Sequence, residues 1–171
     1  MDERKWIERI LAGDTQSFSC LVAKYEKMAY TIALRILENR EEAEEAVQDA
    51  FVKMYRALSD FHFDSKFSTW FYRIVYRTAL TALRQQRMFV SYEEAGPVDL
   101  SNDEVESATA LLEREDRKEM IARTLKKLPA DEALLLTLYY LEECSVEEIC
   151  QITELSASNV KVKLFRGRKR F

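Results

Sequence analysis

Histidine is almost missing from this sequence, and glycine and proline are nearly as scarce. His62 is the single imidazole, with no Cys/His/Asp constellation, Gly-rich phosphate loop or metal-ligand spacing around it, which argues against an enzyme. Cys20, Cys144 and Cys150 are too few and too badly spaced for a zinc site or a disulfide framework. No metal and no cofactor is expected, and the thiols read as core or neutral surface groups of a reducing cytoplasm. No apolar run approaches the ~20 residues that span a bilayer. The charged start Met-Asp-Glu-Arg-Lys-Trp is not followed by a secretory apolar core, so the expected location is cytoplasmic. Only three Gly and two Pro interrupt 171 residues, and β-branched alternation is scarce as well. The chain reads as all-α.

What the sequence has in quantity is charge, and its placement says more than its net value of −4. Residues 1–60 carry nine basic and twelve acidic groups, and 61–90 carry five and one. Residues 91–156 carry six basic and seventeen acidic groups, whereas 157–171 carry six basic and none acidic. Two basic islands stand apart across an acidic stretch, which suggests two separate DNA-facing surfaces.

Hydrophobic periodicity organises the first half into four helices. Trp6 to Leu11 forms a short one ending at Gly13, and Asp14 or Thr15 caps the next, over about Ser17 to Leu37. A third spans roughly Arg40 to Leu58, and a fourth begins near Ser68 or Thr69 and runs to about Met88. From Ser91 the pattern dissolves. Gly96-Pro97 breaks any helix, and Glu93, Glu94, Asp99, Asp103, Glu104 and Glu106 load the segment with negative charge. The expectation is two small helical domains, 1–90 and 113–171, joined by a flexible acidic linker over 91–112. In the second, a helix ends at Leu128 before Pro129 and another covers Asp131 to about Leu141.

The C-terminal pattern is sharper. Ser145-Val-Glu-Glu148 is a capping box for a short helix, Thr153 to Leu155 is a turn, and a basic helix opens after Ser156. This is a helix-turn-helix pattern, whose second helix enters the DNA major groove. On a 3.6-residue period Ala157, Val160 and Leu164 form an apolar stripe for packing. Ser158, Lys161, Val162, Phe165, Arg166 and Lys169 share another face. Lys and Arg there suit phosphates or guanine edges, and Phe165 suits a thymine methyl. The alternative is a solvated basic helix end, since cations suit that end of the helix dipole.

Seven aromatics crowd into 61–76: Phe61, Phe63, Phe67, Trp70, Phe71, Tyr72 and Tyr76. Beside them Arg73, Arg77, Arg84 and Arg87 make a rough basic stripe. Flat faces for unstacked bases and cations for the backbone are what single-stranded DNA requires. The same rings also suit a core. Between them, Asp64, Ser65 and Lys66 make the Phe61 to Ser68 loop polar enough to hydrogen-bond an extruded base. Upstream, the acidic face with Glu45, Gln48, Asp49 and Phe51 is either a solvated surface or a docking face for a basic partner.

Both halves resemble the extracytoplasmic-function type of bacterial sigma factor. EEAEEAVQDAFVKMYRAL (41–58) resembles its core-polymerase-binding motif, and FHFDSKFSTWFYRIVYRTALTALR (61–84) its promoter-melting and −10-reading segment. Leu128-Pro129 and the helices through Ser156-Ala157-Ser158-Asn159-Val160-Lys161 to Phe165-Arg166-Gly167-Arg168-Lys169-Arg170-Phe171 resemble its −35-reading domain. The resemblance implies core RNA polymerase as partner, held by clamp helices and flap, with promoter DNA as the second partner and an anti-sigma factor as a further one. It implies polymerase contacts at Glu45, Gln48, Asp49 and Phe51. It implies −10 contacts at Phe61, Phe63, Asp64, Ser65, Lys66, Phe67, Trp70, Arg73, Arg77 and Arg84, and −35 contacts at Ser158, Asn159, Lys161, Val162, Phe165, Arg166 and Lys169.

This sequence departs from the family pattern in five places. Arg77 stands for the usual Asn, Thr81 for a common Asp, and Phe63 for a frequent Gly. Val162 replaces a small hydroxyl or basic residue, and Gly167 an Ala, at about 1 kcal/mol if it lies mid-helix. In the family the last helix often continues past the position of Phe171. The acidic linker resembles one that threads toward the RNA channel; a passive tether is the other reading. The rival function is a helix-turn-helix repressor with a helical sensor domain, which explains the C-terminus but not the aromatic basic segment.

Overall fold

The computed structural model describes residues 3–90, 120–121, 123–125 and 127–170. Helices α1 (Glu3–Leu11), α2 (Thr15–Leu37), α3 (Arg40–Ala57) and α4 (Phe67–Val90) form the first bundle, with a 3₁₀ turn at Leu58–Asp60. After a helical stretch over 123–125, α5 (Ala130–Tyr140), α6 (Val146–Thr153) and α7 (Ala157–Arg170) form the second. No strand occurs among the described residues. The all-α expectation holds. The proposed linker over 91–112 lies outside the described residues, as does the expected domain start at 113.

Local chemistry sets the boundaries. Asp14 caps α2, accepting from the Gln16 N–H at 3.0 Å and from the Ser17 hydroxyl at 2.9 Å. Asn39 caps α3 by accepting from the Glu42 N–H at 3.1 Å. Helix α1 begins three residues before the expected Trp6, and α2 and α4 also begin slightly earlier than expected. The capping box at Ser145 forms in full: its hydroxyl accepts from the Glu148 N–H at 3.1 Å, while Glu148 accepts from the Ser145 N–H at 2.8 Å.

Helix α4 is the spine of the first bundle and packs on both α2 and α3. Phe71, Val75 and Ala79 on its inner face are fully buried, and Phe71 meets Phe51 and Tyr25 at ring-centroid distances of 4.8 and 5.9 Å. In the second bundle α7 lies on α5 and α6, burying Val160, Leu164 and Gly167. The two bundles touch: α6 packs against α4 and α5 against α2, and their buried residues form one continuous apolar cluster.

Candidate nucleic-acid interface

Helix α7 sorts its six cations by face. Lys163 pairs with Asp131, and Arg170 makes two 3.0 Å bonds to the Glu132 carboxylate, which is only 5% exposed. Arg168 lies over the rings of Tyr139 and Tyr140, 5.5 and 5.8 Å from their centroids. These three cations fasten α7 to α5. Lys161, Arg166 and Lys169 remain on the outer face with Ser158, Asn159, Val162 and Phe165, every one of them exposed. Phe165 is 66% exposed, far more than a packing role requires. Ala157 departs from its expected place in the apolar stripe. As the first helical residue it is exposed, and Gly167 completes the buried stripe in its stead.

Gly167 is where α7 passes closest to α5. A Cβ there would meet Leu136 Cδ1 at 3.0 Å and Glu132 Cβ at 3.5 Å. The missing side chain is a packing feature of the helix pair.

The aromatic segment divides into core and loop. Phe61 and Phe67 are buried, at 6% and 3% exposure: they meet edge to face, both pack on Trp70, and Phe67 also meets Tyr25. Expected as base-contacting faces, they are core rings that support the loop. Phe63 alone of the three turns outward. It is 39% exposed, and its φ of 61° lies in the left-handed region that glycine adopts at least cost. The Gly that the resemblance leads one to expect here would suit this backbone. The ring is held by Phe61 at 4.7 Å and by the Arg4 guanidinium 4.7 Å above its centroid. Asp64 and Lys66 are exposed beside it, Ser65 is half-buried, and Trp70 shows part of its ring.

Arg73, Arg77 and Arg84 are exposed along α4. The first two, with Lys66, face carboxylates of the second bundle. Glu154 Oε1 accepts from Arg77 Nε at 3.0 Å and Arg73 Nη2 at 3.4 Å, and Lys66 Nζ lies 2.9 Å from Glu148 Oε1. The Glu154 carboxyl is held below the usual carboxylate range, chiefly by the Arg77 hydrogen bond. Lys66 is raised by its bond to Glu148. Burial pushes Glu148 up, but the Ser145 N–H and Lys66 together hold it low.

Comparison with known proteins decides the family. The profile for Sigma-70 region 2 matches residues 21–88, and that for Sigma-70 region 4 matches 118–171. The RNA polymerase sigma-H factor of Pseudomonas aeruginosa is 32% identical over 98% of this chain and 90% of its own length. The ECF RNA polymerase sigma-E factor of Escherichia coli is 31% identical over 95% of this chain and 88% of its own. The chain belongs to the extracytoplasmic-function sigma factors. Among solved structures, the sigma factor RpoE of Bartonella quintana, in complex with the anti-sigma factor NepR, shares the fold. Its TM-score is 0.70 at 17% identity, over 91% of this chain and 94% of that one. CnrH in complex with the cytosolic domain of CnrY aligns with a TM-score of 0.63 at 22% identity, over 98% and 93%.

As a sigma factor, the chain binds core RNA polymerase and promoter DNA and directs transcription initiation. The repressor reading covers the C-terminal half alone and is not favoured, because both halves match sigma regions. On the expected polymerase face of the sigma factor, Glu45, Gln48 and Asp49 are exposed along α3. Phe51 is mostly core and shows only a ring edge to the surface. It is buried at 8%, because α3 turns it into the core against Phe71. Its neighbours Val52 and Tyr55, both 48% exposed, line a shallow apolar groove with Thr15, Phe18 and the edge of Phe51 itself. Neither they nor Arg4 stood out in the sequence. Arg4 is remote from the loop along the chain, and Val52 and Tyr55 follow the acidic face without sharing its charge. No described helix is long and apolar enough to cross a membrane.

Proposed function

We propose that the two bundles divide promoter recognition between them, with domain limits near 1–90 and 113–171. Helix α7 docks in the major groove of the −35 element. Lys161, Phe165 and Arg166 face bases there, and Ser158, Asn159, Val162 and Lys169 complete the surface. The observation that carries this is the sorting of α7: three cations spent on α5, and all seven expected contact residues outward.

In the first bundle, the Phe63–Lys66 loop receives a base extruded from the −10 element, and Arg73, Arg77 and Arg84 follow the strand's phosphates. Phe63 forms one wall, Asp64, Ser65 and Lys66 meet the base edge, and Trp70 adds a partly exposed ring. Phe61 and Phe67 stiffen the loop from behind. The α3 face with Glu45, Gln48 and Asp49 meets the polymerase clamp helices, Phe51 backing it from the core, and the second bundle meets the flap. The chain acts in the cytoplasm by binding alone, without covalent chemistry, metal or cofactor. An anti-sigma factor is a fitting regulator, as the complex of the Bartonella quintana neighbour with NepR illustrates.

Competition for core polymerase tests this division. The double variant Gln48→Ala, Asp49→Ala should keep its helicity and yet displace a labelled sigma factor from core enzyme poorly. Undiminished competition would move the docking face off α3.

A further inference from the structure

The loop around Phe63 is completed from outside its own segment. Helix α1 lies against α2 and against the 3₁₀ turn that leads into the loop. Ile7 and Ile10 anchor it at 0% and 6% exposure, and Glu3 accepts from the Tyr25 hydroxyl and from Lys24. The backbone of α1 is thereby fixed beside the Phe63 ring. Arg4 reaches from it over the face of that ring, its guanidinium carbon 4.7 Å from the centroid. The helix itself gives no reason for a cation there, since Arg4 stands in the first turn of α1, at the positive end of the dipole. Its ion pair with Glu8, at 3.4 Å, is 63% exposed on both sides, the setting in which such pairs contribute little. A rigid element thus delivers a planar cation on a long, movable side chain to the outward phenyl ring of the loop.

We propose that Arg4 is a base-stacking residue: its guanidinium covers Phe63 in the absence of DNA and covers the extruded −10 base in the open complex, so that the base is held between ring and cation. A base in that place needs two layers of about 3.5 Å each, against the 4.7 Å that separates guanidinium and ring without it. The gap opens by rotation of an exposed side chain, while the backbones of α1 and of the loop stay where they are. Arginine suits this role and lysine does not, because a guanidinium is flat and weakly hydrated and stacks on a π face as well as carrying charge. Stacking tolerates every base. Selection therefore stays with the edge contacts of Asp64, Ser65 and Lys66, and Arg4 contributes affinity.

This proposal rests on the reading that the Phe63–Lys66 loop captures a base, and the experiment separates the two. Core RNA polymerase loaded with the full chain is titrated onto a fluorescent promoter, mapped by run-off transcription, whose −10 region is pre-melted. Each −10 base of the non-template strand is replaced in turn by an abasic site. The replacement that costs the unmodified protein most marks the captured base. Arg4→Ala and Arg4→Lys should each bind the intact template about fivefold more weakly, and both should match the unmodified protein on the template abasic at that position. A loss that Arg4→Lys restores, or that persists on the abasic template with a shallower salt dependence, makes Arg4 a phosphate contact and overturns the proposal. Repeating Arg4→Ala in a Phe63→Gly background tells stacking from mere support of the loop. A residue that only steadies Phe63 then has nothing left to steady, and the absence of a further loss would overturn the proposal. A residue that lies on the base itself should still cost about fivefold. If both Arg4 variants bind the intact template as the unmodified protein does, the Arg4 assignment alone is overturned. If no abasic site weakens binding, base capture and the proposal fall together.

Discussion

Phe63 carries a side chain where the backbone favours none. Its left-handed φ costs a non-glycine residue roughly 1–2 kcal/mol, and the Phe61 and Arg4 contacts offset part of that. Phe63→Gly should therefore change thermal stability by less than about 1 kcal/mol, strain relief balancing lost ring contacts. In the holoenzyme the same change should shift −10 base preference, measured by strand opening on templates varied at that element. An unaltered preference would remove Phe63 from the pocket wall. At Arg166 the prediction is sharper. If the guanidinium is bidentate to a base, Arg166→Ala should lower discrimination among −35 sequences by about 1–3 kcal/mol. A uniform loss over all −35 sequences, with a shallower salt dependence, would make it a phosphate contact. At this scale the sequence was legible where side chains point outward from a periodic helix, as on α7. It was less so among the aromatics, because Phe61, Phe63 and Phe67 differ in burial and not in type.

Among the elements, α6 and α7 were readable almost to the residue, because capping residues at Ser145 and Ser156 mark where each begins. The Ser156 hydroxyl accepts from the Asn159 N–H at 3.3 Å. Gly167 was readable only as a helix penalty, since its reason is the approach of α5, distant in sequence. Gly167→Ala gains helix propensity of about 1 kcal/mol, against contacts of 3.0 and 3.3 Å with Leu136 Cδ1 and Cγ, which must shift by a few tenths of an ångström. We expect a net gain in stability below 1 kcal/mol, read as a small rise in melting temperature. A fall would mean that Leu136 cannot yield. Cys144 illustrates the opposite fate of a residue caught between elements. Burial, with Glu148 and Glu142 nearby, pushes its thiol up to about 11. Alkylation at pH 8 should reach the exposed Cys20 well before Cys144, as peptide mapping of partial reactions would show.

For the whole molecule, the contact between the bundles was invisible in the sequence, because Lys66 and Glu148 or Arg77 and Glu154 are far apart along the chain and follow no periodic pattern. The ion pairs between the bundles, Lys66–Glu148 and Arg73/Arg77–Glu154, should be insensitive to pH near neutrality. Glu148 and Glu154 titrate below their ordinary range, so their contribution is complete above an unfolded pKa of about 4.3. It is lost only as pH falls through their lower folded values. Lys66 is raised, and its pairing is lost only as pH rises through a folded value above the ordinary lysine range. The radius of gyration should stay constant from pH 5 to 8, and expansion within that window would show that other groups hold the bundles together. The central claim, that both basic islands serve one initiation factor, meets its most direct test in run-off transcription. Core RNA polymerase is incubated with this chain and a promoter library, and the transcripts are mapped. The account predicts discrete start sites that core enzyme alone does not produce, each preceded by shared −10 and −35 elements. A full promoter footprint by the chain without polymerase, with no initiation gained when polymerase is added, would contradict it.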